Sequence, residues 1–174
     1  MNDLKIKEAV LKDAAIIALL GRITFTETFG HLFRDKNDLL SYFNETFSVE
    51  KIKKGIQKAN NKFWVAYVND LPVGYAKLKL NSVSEFIIDK KTAQLQKIYV
   101  LNDFIAQKVG FQLQNILLNE AKKQGANQIW LSVLKSNNRA SNFYKKSNFT
   151  IIGKHDFQIG KENFNFNVLV KKLI

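Results

Sequence analysis

The sequence predicts a mixed α/β protein built around one sheet, and two observations carry that reading. Short apolar runs with strand periodicity alternate with longer runs at helical spacing, in the order strand, helices, three strands, helix, strand, helix, two strands. Only one proline and eight glycines interrupt the 174 residues, with no linker, repeat or low-complexity tract, so one domain over 1–174 is the simplest account. With 46% hydrophobic residues, a chain of this length can bury a full core.

Residues 4–9 read as the first strand. Asp13 then stands where a helix cap would, ahead of Ile16, Ile17, Leu20 and Ile23 at helical spacing. Further helices are expected near 36–46 and 48–58. Phe63–Val68 and Val73–Leu80 form a hairpin about Asn69-Asp70, with Pro72 tolerated at the mouth of the second strand. Thr92–Leu101 is the next strand. Val109, Leu113, Ile116, Leu117 and Ala121 then mark one face of a long helix, with Lys122 and Lys123 in its last turn and Gly125 as its stop. Ile129–Val133 reads as a short buried strand. A helix near 138–146 places Ala140, Phe143 and Tyr144 on one side. Strands at 149–158 and 164–172 flank a turn at Gly160-Lys161-Glu162-Asn163, and Phe164, Phe166, Val168 and Val170 alternate as on a half-buried strand.

Composition narrows the function. The absence of cysteine excludes disulfides, thiolate metal sites and a cysteine nucleophile, and fits a reducing compartment. The N-terminal stretch has no apolar signal core, and its longest apolar run, Ala14–Leu20, is too short to span a bilayer, so a soluble, cytoplasmic protein is expected. A net charge of +12 favours anionic partners such as nucleotide cofactors, although the lysines are scattered and read first as solvated helix faces. His31 and His155 lack a partner pattern, and no metal site is expected. Phe25, Phe29, Phe33, Phe43 and Phe47 read as core, with lining of an acceptor pocket as the other reading.

The informative run extends from Leu95 to Gln112: a strand ends, a loop turns and an amphipathic helix starts. Such a junction exposes unpaired backbone N–H groups, and with the helix dipole they can hold a pyrophosphate. Lys108 adds charge, and Gly110 lets the backbone approach closely. Gln107 and Gly110 fit the Gln/Arg-x-x-Gly-x-Gly/Ala motif of the GNAT acetyltransferases, and Gln112 departs from it. Downstream, Asn137 to Phe149 resembles that family's Asn-x-x-Ala-x-x-x-Tyr-x-x-x-Gly-Phe. Asn148 replaces the glycine there and tolerates the left-handed conformation. Thr26–Phe29, Ser48–Lys51, Leu95–Leu101 and Ile129–Val133 look most like the PaiA-like branch, associated with acetylation of spermidine and spermine.

The resemblance implies the GNAT fold, a central twisted, mostly antiparallel sheet flanked by helices, and N-acetyl transfer from acetyl-CoA to a small amine or a peptide amine. It implies that the strand at Ile98-Tyr99-Val100 parts from its neighbour and pairs with pantetheine, the N–H near Val100 holding the acetyl carbonyl. The loop contacts it implies are Ala106, Gln107, Lys108, Val109, Gly110 and Phe111. Asn137 would bond the pantetheine arm or cap a helix, and Tyr144 would act as the general acid. An alkylamine has a pKa near ~10.4 and must lose a proton before it attacks. Gln96 stands where related sequences often have a carboxylate, so Glu27, Glu85 or a water relay remain as bases. A polyamine acceptor would need an acidic pocket, for which Glu27, Asp35, Asp38, Glu45 and Glu50 are candidates. A homodimer is left open. The competing reading is a weakly catalytic protein on the same fold that senses CoA or binds nucleic acid, the latter disfavoured by the lack of a compact basic stripe.

Overall fold

The computed structural model describes residues 3–173. Its elements are β1 (Leu4–Glu8), α1 (Ala14–Phe29), α2 (Lys36–Thr46), α3 (Val49–Ile56), β2 (Asn61–Val68), β3 (Leu71–Lys79), β4 (Thr92–Val100), α4 (Val109–Lys123), β5 (Gln128–Leu134), α5 (Asn138–Lys146), β6 (Thr150–Ile159) and β7 (Glu162–Lys172). The strands form one seven-stranded sheet in the order β1-β2-β3-β4-β5-β7-β6. Every neighbouring pair is antiparallel except β4 and β5. Among the described residues, no helix is long and apolar enough to cross a membrane.

Local chemistry sets most boundaries. Asn69 and Asp70 both take positive φ, as a two-residue hairpin turn requires. Asp35 and Ser48 cap α2 and α3, accepting the amides of Asn37 and Lys51. Asp13 behaves differently from expectation. Its carboxylate accepts the Val10 amide at 2.8 Å and closes a 3-10 turn ahead of α1, instead of capping α1 itself. Gly125 ends α4 at φ +81°, and Asn148 is left-handed at φ 62°. The last hairpin turns on two residues, Gly160 and Lys161, and β7 starts at Glu162. The four-residue turn expected from sequence is too long, because Gly160 alone supplies the needed left-handed residue.

The sheet separates two cores. On one face, α4 and α5 pack Val109, Leu113, Leu117 and Tyr144 against Ala76, Leu78, Ala93, Leu95, Ile129 and Leu131. On the other, α1–α3 pack Ile17, Phe25, Phe43, Phe47 and Ile52 against Phe63, Val65 and Tyr75. The N-terminal phenylalanines are therefore mainly core: Phe25 has the rings of Phe29, Tyr42, Phe43 and Phe47 within 6 Å.

Candidate active site

The centre of the sheet is split. β4 and β5 pair only at Thr92/Gln128, Ala93/Ile129 and Gln94/Trp130. A bulge at Gln96 then breaks the β3–β4 register, since Lys77 faces Lys97 while Leu78 faces Leu95. Beyond it, the edge of β4 turned toward β5 has no ladder partner through Val100. The closed end of the split is pinned by the 80–91 loop. There the Trp130 indole donates to the Ser82 carbonyl at 2.8 Å, and the Phe86 ring lies where a side chain at Gly153 would be.

A cavity of about 640 Å³ opens on the α4–α5 side of the split. Ile98, Tyr99, Val100, Ala106, Lys108, Gly110, Phe111, Asn137 and Tyr144 line it. Thus nine of the eleven predicted site residues converge. Of the other two, Val109 is fully buried in the core, so only its backbone can face a ligand, and Gln107 closes the 3-10 turn ahead of α4. Lys108 is left-handed at φ 60°, and the first bond of α4 runs from the Gln112 amide to the Lys108 carbonyl. The amides of residues 109–111 therefore have no partner within the helix. A Cβ on Gly110 would meet only Val100, at 3.9 Å, so the room beside it belongs to the cavity. Gln112 is exposed and lines none of this space.

Arg139 and Lys146, which the sequence reading did not single out, join Lys108 on the lining, and no carboxylate does. Three cations around an apolar slot suit a long ligand with phosphates at one end. Their signal was present, since both sit one helical turn or less from motif residues of α5.

An inner cavity of about 80 Å³ lies within the split, toward α1. Its lining includes Phe29, Gln96, Lys97, Ser132, Leu134 and Phe166. Ile98, Tyr99, Asn137, Ala140 and Tyr144 line both spaces, so the two cavities meet along these residues. Tyr144 is only 8% exposed, and its ring packs between those of Phe143 and Phe149. Burial pushes its phenol well above the ordinary value, so it stays protonated at neutral pH. Asn137 caps α5, accepting the Ala140 amide at 3.1 Å, and still faces both cavities.

A third, polar hollow of about 330 Å³ holds Glu27, His31, Asn102, Asn138 and Arg139. Glu27 accepts the Asn102 amide at 3.1 Å, tying α1 to the end of β4. The other carboxylates proposed for an acidic pocket do not gather there. Asp35 and Asp38 hold the side chain and backbone of Lys161, Glu50 pairs with Lys53, and Glu45 is exposed. Basic neighbours at helix ends and turns compete for these acids more effectively than a shared cavity does.

The inner cavity instead carries Lys97. Burial pushes its ammonium down to about 8, and burial together with Lys97 and other lysines brings Lys77 to about 8. The Lys97 amine lies 5.0 Å above the Phe47 ring. Because the folded pKa lies below the unfolded one, the unfolded chain binds more protons between about pH 8 and 10.5, and stability must rise with pH through that window. Lys97→Met is therefore expected to raise the folding stability read from urea unfolding at pH 7, by on the order of 1 kcal/mol, and to lose that advantage near pH ~10.

A strand parted from its parallel neighbour, bare amides at a helix start and a protonated phenol where two cavities meet define a protein built to bring an acyl carrier to an acceptor. The sequence matches the acetyltransferase (GNAT) family over residues 27–149, and the chain belongs to that family. It is an acetyl-CoA-dependent N-acetyltransferase. An uncharacterised N-acetyltransferase of Lactobacillus delbrueckii subsp. lactis is 25% identical over the full length of both chains. Among solved structures, the PaiA N-acetyltransferase of Thermoplasma acidophilum, in complex with coenzyme A, is similar in fold (TM-score 0.77, 21% identity, 98% of this chain and 99% of that one). The ribosomal-protein-S18-alanine N-acetyltransferase of Escherichia coli is also similar (TM-score 0.70, 17% identity, 98% and 94%).

Proposed function

We propose that the chain moves the acetyl group of acetyl-CoA onto a primary amine held in the inner cavity, by direct attack, with Tyr144 as the acid. The observation that carries this reading is that the two cavities meet at Tyr144, which lines both. In this reading the carrier's diphosphate lies on the amides of residues 109–111, near Lys108, Arg139 and Lys146. Its pantetheine arm runs along the unpaired edge of β4, with Asn137 opposite. The backbone N–H near Val100 takes the acetyl carbonyl and stabilises the oxyanion. The amine nitrogen attacks the carbonyl carbon, the C–S bond breaks, and the Tyr144 proton passes to the departing sulfur. The amide nitrogen's surplus proton then returns to the Tyr144 oxygen. Acetyl-CoA supply and the cysteine-free chain both suit the cytoplasm.

The sequence resemblance to the PaiA-like branch, associated with acetylation of spermidine and spermine, supports a polyamine acceptor. The inner lining supports an amine with a single positive charge instead, because it holds Lys97 and no carboxylate. Thiol release from acetyl-CoA, followed against polyamines, amino acids and peptides, tests both. Amine-dependent, saturable release is expected, with singly charged amines ahead of spermidine. No release with any amine would overturn acetyl transfer in favour of a CoA-binding protein.

Gly110→Glu sets a carboxylate beside the amides assigned to the diphosphate. Its affinity for CoA is expected to fall about 10-fold or more, equivalent to about 1.4 kcal/mol. Calorimetry giving an unchanged affinity would locate the diphosphate elsewhere.

A further inference from the structure

Tyr144 accounts for the proton given to sulfur, but a group is still needed for the proton the amine brings. Gln96 cannot take it. Glu27 accepts the Asn102 amide and lines the polar hollow but neither the outer nor the inner cavity, and Glu85 is exposed and lines none of the three.

Ser132 lines the inner cavity, and its Oγ lies 2.8 Å from Nε2 of His155. The two residues are 23 apart in sequence and belong to different strands. The register brings them together: Ser132 on β5 faces Val168 on β7, and His155 on β6 faces Phe166, two residues away on the same face of β7. His155 is also fixed in orientation. Its ring stacks on Phe166 at 5.2 Å and 9°, and Phe166 itself lines the inner cavity. β6 is the sheet's outer strand and His155 is half-buried, so the ring spans from the cavity wall toward the molecular edge. Its other nitrogen, Nδ1, lies 3.5 Å from the Asp156 carbonyl.

We infer that Ser132 and His155 form the exit for the acceptor's proton: Ser132 receives it from the amine, directly or through one water, and His155 takes the serine's own proton in the same event. This rests on the acetyl-transfer reading. The step balances. An ammonium N–H bond breaks as a bond forms from that proton to Ser132 Oγ, while the serine O–H bond breaks and an N–H bond forms at His155 Nε2. The amine is left with its lone pair, Ser132 is again a neutral hydroxyl, and the imidazolium gives its proton to solvent from Nδ1. Histidine suits a proton relay because it exchanges protons near neutral pH. The setting favours loss of the proton from the guest amine. Burial already pushes the Lys97 ammonium down to about 8 on the same lining, and a charged Lys97 would repel a second ammonium there. Ser132 would touch the acceptor, whereas His155 acts through it.

The test uses the amine giving the fastest thiol release with the wild-type chain. Ser132→Ala, His155→Ala and His155→Gln are compared for turnover, CoA affinity and melting temperature. Expected is a fall in kcat/KM of about 10- to 100-fold for all three, the range of a lost general base, with CoA affinity unchanged. His155→Gln separates relay from scaffold, because its amide can still bond Ser132 but cannot carry a proton. Added imidazole is expected to restore part of the His155→Ala rate, where sodium chloride at equal ionic strength does not. Wild-type turnover in His155→Gln, or no imidazole rescue of a His155→Ala chain that melts normally, would overturn the relay. If His155→Ala melts early, Ser132→Ala decides, and full activity there overturns it. A wild-type chain that is silent with every amine fails the acetyl-transfer reading, and the relay with it. An active wild type matched by its variants fails the relay alone.

Discussion

Replacing Tyr144 with phenylalanine is expected to lower kcat by about 100-fold, within the span of a lost general acid, while CoA affinity stays within about twofold. The substitution removes one oxygen from a ring that is already buried and packed at 5.1 Å from Phe143 and 5.5 Å from Phe149. The ring and its packing are kept, so the melting temperature is expected to change little. The expected phenotype is therefore a clean loss at the chemical step. A CoA thiolate must then leave without a proton donor, and the penalty should grow for poorer leaving groups. Burst kinetics with acetyl-CoA measure it, and unchanged turnover would take Tyr144 out of the reaction. Burial holds the phenol protonated well into the alkaline range, so loss of Tyr144's proton does not limit activity at moderately high pH.

What sequence alone could show of this site followed from how local each feature is. Gly110, Tyr144 and Asn137 sit in short runs whose spacing carries the whole signal, and all three line the outer cavity. The Asn69-Asp70 turn and the Asn148 left-handed residue were equally local. The split of β4 from β5 could be anticipated only through a family resemblance. It depends on a ladder three pairs long and a bulge at Gln96, both set by tertiary packing. Lys97 reads in sequence as one more exposed lysine of a basic chain, and only its place beneath α1–α3 makes it a desolvated amine. His155 looked isolated because its partner lies across β7, and no periodicity links residues on strands joined by a third. The expected acidic pocket did not form for a related reason: Asp35, Asp38 and Glu50 hold lysine groups or amides away from the cavities, and Glu45 is exposed.

The two faces of the sheet carry different duties, which makes the second large effect separable from the first. The α4–α5 core supports the outer cavity, and the α1–α3 core supports Phe29 and Tyr99 on the inner one. Phe47 is the keystone of the latter. It is fully buried, its ring occupies the notch over Gly21, where an added Cβ would lie 2.3 Å away, and its carbonyl accepts the Arg22 guanidinium at 3.2 Å. It also lies within 6.0 Å of Phe25, Tyr42 and Phe43 and beneath Lys97. Phe47→Ala is expected to cost about 3–5 kcal/mol of folding stability, the range for a phenylalanine deleted from a core. Urea unfolding measures it directly. Gly21→Ala should also destabilise, because the new methyl group meets a ring with nowhere to move. Paired with Phe47→Leu, it should cost less than the sum of the two single changes, since the smaller side chain frees the space the methyl group needs. At temperatures where the Phe47→Ala chain remains folded, the loosened α1–α3 layer should raise KM for the amine while CoA affinity holds, because the outer cavity rests on the opposite core. Equal losses in both would mean that the sheet transmits strain between its faces and that the two cores are not independent supports.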